Sequence, residues 1–127
     1  MCAVRRHDPS CVPLALDVDQ GAAVSSYKVP FDDIEWQQVR SDVRQKVYCE
    51  GSRQIRLVEF KTSDGPEHWC DVGHIGYVVK GSLRIDFNGS IVSFKTGDGL
   101  FIPSGNNHRH RAVWIEGGTQ LLMIEDL

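Results

Sequence analysis

The sequence lacks any long hydrophobic run. Its one early apolar patch, Val12 to Val18, is interrupted by Pro13 and Asp17 and is too short for the core of a secretory leader. No stretch approaches the ~20 apolar residues that a membrane span requires, so no membrane partner is expected. A basic run is missing too. Acidic and basic residues alternate in small numbers along the chain to a formal net charge of −3, which leaves no phosphate-binding footprint and argues against a nucleic-acid partner. The four cysteines, at positions 2, 11, 49 and 70, form neither a C-x-x-C pair nor a zinc ribbon. With no leader in view, reduced thiols and a cytoplasmic location are the expectation. Glycine-rich phosphate loops, internal repeats and low-complexity tracts are absent as well.

What remains is an ordinary globular composition over 127 residues, 41% hydrophobic and 24% charged, enough for one domain and too little for two. Twelve glycines against five prolines favour many tight turns over long helices. Residues 1–27 have no periodicity and form an irregular arm, disordered or exchanging a strand with a neighbouring subunit. Residues 28–127 form the folded domain. Within them, Phe31–Arg40 reads as a short helix capped by Asp32 or Asp33, or as an apolar lid carried by Ile34, Trp36 and Val39.

From residue 43 the pattern is short strands: 43–49, 54–60, 75–80, 82–87, 90–94, 99–102, 109–115 and 119–125. Glu50-Gly51-Ser52, Lys80-Gly81, Asn88-Gly89 and Gly117-Gly118 punctuate them. Asn88-Gly89 is the strongest hairpin signal, because both residues tolerate positive φ. About eight strands at regular spacing define an all-β closed sandwich or barrel. The three tryptophans, Trp36, Trp69 and Trp114, are expected in the core or at subunit contacts.

The chemistry lies in two short windows that hold four of the five histidines. His68, Cys70 and His74 share parity, and same-parity residues of an extended segment project to one face. Imidazole and thiolate both suit a borderline-soft divalent ion. His110 follows His108 by two residues and is read as a partner behind the ligands, as an acid or base titrating near neutrality, or as rim packing. Tyr48, Arg56, Glu59 and Tyr77 read more readily as exposed or cross-strand residues than as cavity lining. Cys2, Cys11 and Cys49 read as inert.

The run HWCDVGHIGYVVKG (68–81) resembles the first cupin motif, H-x-H followed by a Glu or Gln ligand and an apolar strand ending in glycine. The run GDGLFIPSGNNHRH (97–110) resembles the second, G-x5-P-x-G-x2-H, at Gly97, Pro103, Gly105 and His108. The resemblance implies a cupin jelly roll, a double-stranded β-helix barrel of the small single-domain type. It places His68, Cys70, His74 and His108 around one divalent metal ion, with Cys70 in place of the second histidine and His74 in place of the carboxylate or amide. The thiol tilts the ion toward zinc, with iron(II), nickel or manganese as alternatives.

Cupins serve many chemistries, so fold does not fix function. The leading expectation is a metal-dependent enzyme, of isomerase, lyase or dioxygenase type, acting on a small polar molecule such as a sugar acid, with His110 or Tyr77 moving a proton. A non-catalytic ligand-binding or sensing module with a structural metal is the alternative, and a storage or scaffolding role has least support. A homodimer is expected, because small barrels with an apolar outer sheet commonly pair.

Overall fold

The structure is a computed structural model that describes residues 27–61 and 67–126. The N-terminal arm and its strand exchange lie outside the described residues. Nine strands are described: β1 (Gln37–Arg40), β2 (Val43–Glu50), β3 (Arg53–Phe60), β4 (His74–Lys80), β5 (Ser82–Asp86), β6 (Ile91–Lys95), β7 (Gly99–Ile102), β8 (Arg111–Ile115) and β9 (Gln120–Asp126). Eight match the strands expected from sequence to within one or two residues. They form a six-stranded sheet in the order β1-β2-β3-β9-β4-β7 and a three-stranded sheet in the order β6-β5-β8, with every described pairing antiparallel. Side chains from both sheets meet in one core, including Val58, Phe60, Val78, Leu121 and Met123 from the larger and Leu83, Ile85 and Ile115 from the smaller. The architecture is the expected jelly-roll barrel.

The first strand replaces the expected helix. Phe31–Asp33 is a single 3-10 turn preceded by Pro30, and neither Asp32 nor Asp33 caps it, since the N-cap position makes no side-chain bond. Gln37–Arg40 instead pairs with β2, Gln37 opposite Gln45 and Arg40 opposite Val43. A free sheet edge offers this segment a ladder of backbone hydrogen bonds, which outweighs its weak helical propensity. None of the tryptophans belongs to the core cluster, the first of the two places expected for them. Each lies under a guanidinium: Arg44 over Trp36, Arg84 over Trp114, and both Arg109 and Arg111 over Trp69. Large rings at half-exposed positions gain cation–π attraction there without taking core volume.

Alternation along β2 and β3 sends Val43, Gln45, Val47 and Cys49 inward, opposite Gln54, Arg56, Val58 and Phe60. The interior therefore changes character along the strands. At one end the facing residues are apolar. At the other, a row crosses the sheet from Cys49 to Gln54 to Glu125 to His74, a polar lining that a pure packing core would not tolerate unpaired.

Two glycines hold the frame where it is tightest. Asn88-Gly89 turns β5 into β6 at φ 58° and 113°, as the hairpin signal requires. Gly81 sits at φ 90°, and a Cβ there would lie 2.2 Å from Thr119 Oγ1 and 2.7 Å from Thr119 Cα. Gly81→Ala therefore combines backbone strain with a clash against a fully buried neighbour. It is expected to cost about 2 kcal/mol and to lower the thermal midpoint by roughly 5–10 °C. A melting curve by circular dichroism, unchanged from the wild type, would contradict this reading.

Candidate metal centre

Cys70 and His110 face each other across a short antiparallel bridge. Cys70 N donates to His110 O, and His110 N donates to Cys70 O, both at 2.8 Å. Directly opposed residues of an antiparallel pair project to the same side, so both side chains enter the barrel together. His74 opens β4 on the inner face and completes the group. Gly73 makes this entry feasible, because a Cβ there would meet Ile102 O at 2.6 Å and Ser104 N at 2.7 Å.

One ligand-capable atom from each of Cys70, His74 and His110 lies within 4.8 Å of the others. Cys70 Sγ is 3.8 Å from His74 Nε2, and the two imidazoles meet edge to face with centroids 5.2 Å apart. All three residues are buried, at 3%, 1% and 0% exposure.

The hydrogen bonds behind the rings fix which nitrogens are available. His74 Nδ1 lies 2.9 Å from Glu125 Oε2, and a carboxylate can only accept, so Nδ1 carries a proton and Nε2 is the nitrogen that faces Cys70. His110 Nδ1 lies 3.0 Å from the carbonyl oxygen of His108, which fixes the same tautomer. His110 Nε2 is then a buried lone pair with no hydrogen-bond partner among the described residues. Burial pushes the His110 imidazole below its ordinary pKa, against the opposing pull of the His108 carbonyl, and favours the neutral form that a ligand needs. Two imidazoles backed by a carboxylate and a carbonyl, clustered with one sulfur, are the kind of donor set that can hold a divalent metal ion.

Glu125 is held in turn by Arg56. The guanidinium bonds Glu125 through Nε to Oε1 and through Nη2 to Oε2 at 3.1 Å, and its Nη1 reaches Gln45 Oε1 at 3.2 Å. Burial alone would raise the pKa of Glu125. The His74 hydrogen bond and the Arg56 charge outweigh it and hold the carboxyl below its usual range. Arg56 is 1% exposed, which corrects its reading as a surface or cross-strand residue.

The other expected site residues fall elsewhere. His68 and His108 are exposed, with His108 closing a 3-10 turn, Asn106–His108, that leads the chain toward the bridge. The expected ligand set of His68, Cys70, His74 and His108 thus becomes a cluster of Cys70, His74 and His110. The reason is direction rather than distance, since residue 110 pairs with residue 70 across the bridge and residue 108 does not. Tyr77 is 48% exposed on the outer face of β4, three residues from inward-facing His74 and so of opposite parity. Tyr48 and Glu59 are half-buried, and Glu59 bonds Arg44 and Gln120. Glu125 was not singled out by the sequence, although its parity with inward Leu121 and Met123 carries the signal.

The cysteines correct another expectation. Cys49 and Cys70 are both disulfide-bonded, and no described cysteine is free. Reduced thiols were expected because no secretory leader was in view and an even cysteine count alone does not argue for pairing, but pairing depends on the geometry of the fold.

A cavity of about 560 Å³ opens at the rim beside the cluster, lined among others by Asp71, His74, Ser104, Glu125 and Asp126. Among the described residues, no helix is long and apolar enough to cross a membrane.

An all-β barrel with a histidine–cysteine cluster at the polar end of its interior defines the class, and sequence comparison gives the family. The Cupin domain family model matches residues 55–124, more than half of the chain, and the protein belongs to that family. No curated protein matches the sequence. Among solved structures, an RmlC-like cupin from Shewanella frigidimarina is similar at 18% identity and a TM-score of 0.64, over 80% of this chain and 91% of that one. KdgF from Halomonas sp. is similar at 22% identity and a TM-score of 0.61, over 73% and 87% of the two chains. The polyketide cyclase RemF from Streptomyces resistomycificus is similar at 19% identity and a TM-score of 0.61, over 78% of each. At these identities the likeness is one of fold.

Proposed function

We propose that the protein is a metal-dependent cupin enzyme acting on a small polar molecule, with Cys70 in its reduced, thiolate form together with His74 and His110 holding one divalent ion, zinc first among the candidates. The observation that carries this reading is the buried Nε2 of His110, without a hydrogen-bond partner among the described residues, in a cluster with His74 and the sulfur of Cys70. An ion held by three protein ligands keeps a position for substrate or water and supplies Lewis acidity there. The chain's own residues do the rest. Glu125 orients the His74 ring and Arg56 fixes Glu125, so the ligand geometry is set before substrate arrives. The rim cavity gives a polar molecule of sugar-acid size a place to settle beside His74, with Ser104 and the carboxyls of Asp71 and Asp126 available to its hydroxyls. His110 serves this reading as a ligand, not as the proton carrier, and Tyr77 lies on the wrong face for that role.

The near-complete burial of the cluster favours a second reading, in which the metal is a structural clip in a non-catalytic binder. Cobalt(II) substitution separates the two. An open coordination position predicts a visible spectrum that changes when acetate or a sugar acid is added. A spectrum that ignores both would overturn the enzymatic reading and leave the clip.

We also propose that two copies pair through the outer face of β4, β7 and β9. Ile75 lies opposite Phe101 on one side and Ile124 on the other, and these three are 48%, 78% and 43% exposed, with Tyr77 beside them; the same three also wall the rim cavity, which the second copy would partly enclose. So contiguous an apolar patch against an edge strand is unusual for a monomer. Light scattering is expected to give twice the chain mass, and Phe101→Glu to give a monomer. A wild-type monomer at micromolar concentration would refute the pairing.

A further inference from the structure

Cys70 stands in two roles that exclude each other. Its sulfur lies among the ligand atoms of the candidate metal centre, yet it is disulfide-bonded. A disulfide sulfur carries no charge and is a poor donor, whereas the thiolate is a strong ligand for borderline-soft ions. With Cys70 oxidised, the donor set falls to two neutral imidazoles, fewer than the three or four protein ligands that zinc sites use. The buried Nε2 of His110 has no hydrogen-bond partner among the described residues, and the Cys70 sulfur stays 3.8 Å from His74 Nε2, so the site keeps its geometry while the sulfur lacks the charge of a thiolate.

We propose that the metal centre is redox-gated: the Cys70 disulfide excludes the ion, and reduction by a dithiol admits it. This rests on the metal reading of Cys70, His74 and His110 given above. In the reducing step, two electrons and two protons pass from the dithiol to the sulfur–sulfur bond. That bond breaks, Cys70 and its partner cysteine become thiols, and the dithiol closes to its own disulfide. Binding of the divalent ion then displaces the Cys70 thiol proton to solvent. Linkage makes the effect reciprocal, so the bound ion stabilises the reduced form against reoxidation.

The test uses the full chain in two states, air-oxidised, or reduced with excess dithiol that is then removed under nitrogen. Zinc affinity is read by competition with a chromophoric chelator. The reduced protein is expected to take one zinc per chain at least about 100-fold more tightly than the oxidised protein. Equivalently, saturating zinc raises the disulfide's reduction potential by roughly 60 mV for that ratio, at 29.6 mV per tenfold. Cys70→Ser is expected to bind weakly in both states and to ignore the dithiol.

Equal affinity of the two wild-type states would overturn the gate and leave the metal centre standing. No binding in either state would overturn both. A Cys70→Ser protein that still gains affinity on reduction would place the effect on another cysteine and overturn the proposal. If that variant does not fold, alkylation of the reduced wild type decides. Zinc is expected to slow iodoacetamide modification of Cys70 at least tenfold, as a metal-bound thiolate is shielded, and an unchanged rate would overturn the gate.

Discussion

His110→Ala is expected to abolish zinc uptake by the reduced protein, while His108→Ala keeps one ion per chain. The two histidines are two residues apart, and a count along the second cupin motif selects His108. The structure separates them by direction. His110 is fully buried, its Nδ1 proton fixed by the His108 carbonyl and its Nε2 turned inward, whereas the His108 side chain lies exposed at the end of a 3-10 turn. Losing a residue behind a ligand costs roughly 10–100-fold in metal affinity, and losing one of only three ligands costs more than that. A loss of at least about 100-fold is therefore expected for His110→Ala and His74→Ala, and less than threefold for His108→Ala and His68→Ala. Elemental analysis after dialysis gives the stoichiometry, and chelator competition gives the affinity. Retention of the ion in His110→Ala together with its loss in His108→Ala would restore the motif's own ligand set and refute the cluster.

That contrast marks how far the sequence could be read. Strand positions were legible because alternation and turn chemistry are local, and eight of the nine described strands follow from them. β1 was not, since its pairing with β2 is a tertiary gain that no local propensity reports. Cys70 and His74 were legible as candidate ligands from the H-x-C pair and the apolar strand that follows. His110 was visible only as a neighbour, because a motif counts residues and does not say which way the chain faces after a turn. Tyr77 was open to a parity argument from the start: three residues beyond inward His74, it must point outward.

Arg56 and Glu125 escaped for a different reason. Charged residues in strands are read as exposed, and that rule fails where two of them satisfy each other in the interior. Both lie on inward positions, Arg56 between Gln54 and Val58 on β3 and Glu125 two beyond Met123 on β9. A charge on the buried phase of a strand is the signal, and it points to a site. The oxidised state of Cys49 and Cys70 has no such local signature.

Removal of Glu125 is expected to give the largest loss of stability of any substitution in the barrel. Glu125→Leu removes the carboxylate that bonds the Arg56 guanidinium at both Nε and Nη2, and leaves His74 Nδ1 without its acceptor. Breaking a buried ion pair from one side costs about 3–5 kcal/mol, because the remaining charge stays in the interior without the carboxylate that balanced it. Against a total stability of roughly 5–15 kcal/mol, that is a large fraction. Removing both charges is milder: Arg56→Met with Glu125→Leu is expected to recover more than half of the loss, since the uncompensated charge is gone and apolar side chains fill its place. Urea denaturation of the single and double variants measures this. A cost below about 1 kcal/mol for Glu125→Leu would mean that the pair is hydrated and not part of the interior. The double variant has a second use. Its fold returns but the carboxylate behind His74 does not, so zinc affinity is expected to stay roughly 10–100-fold below wild type. Stability and metal binding then separate, as they must if Glu125 both neutralises Arg56 and orients His74.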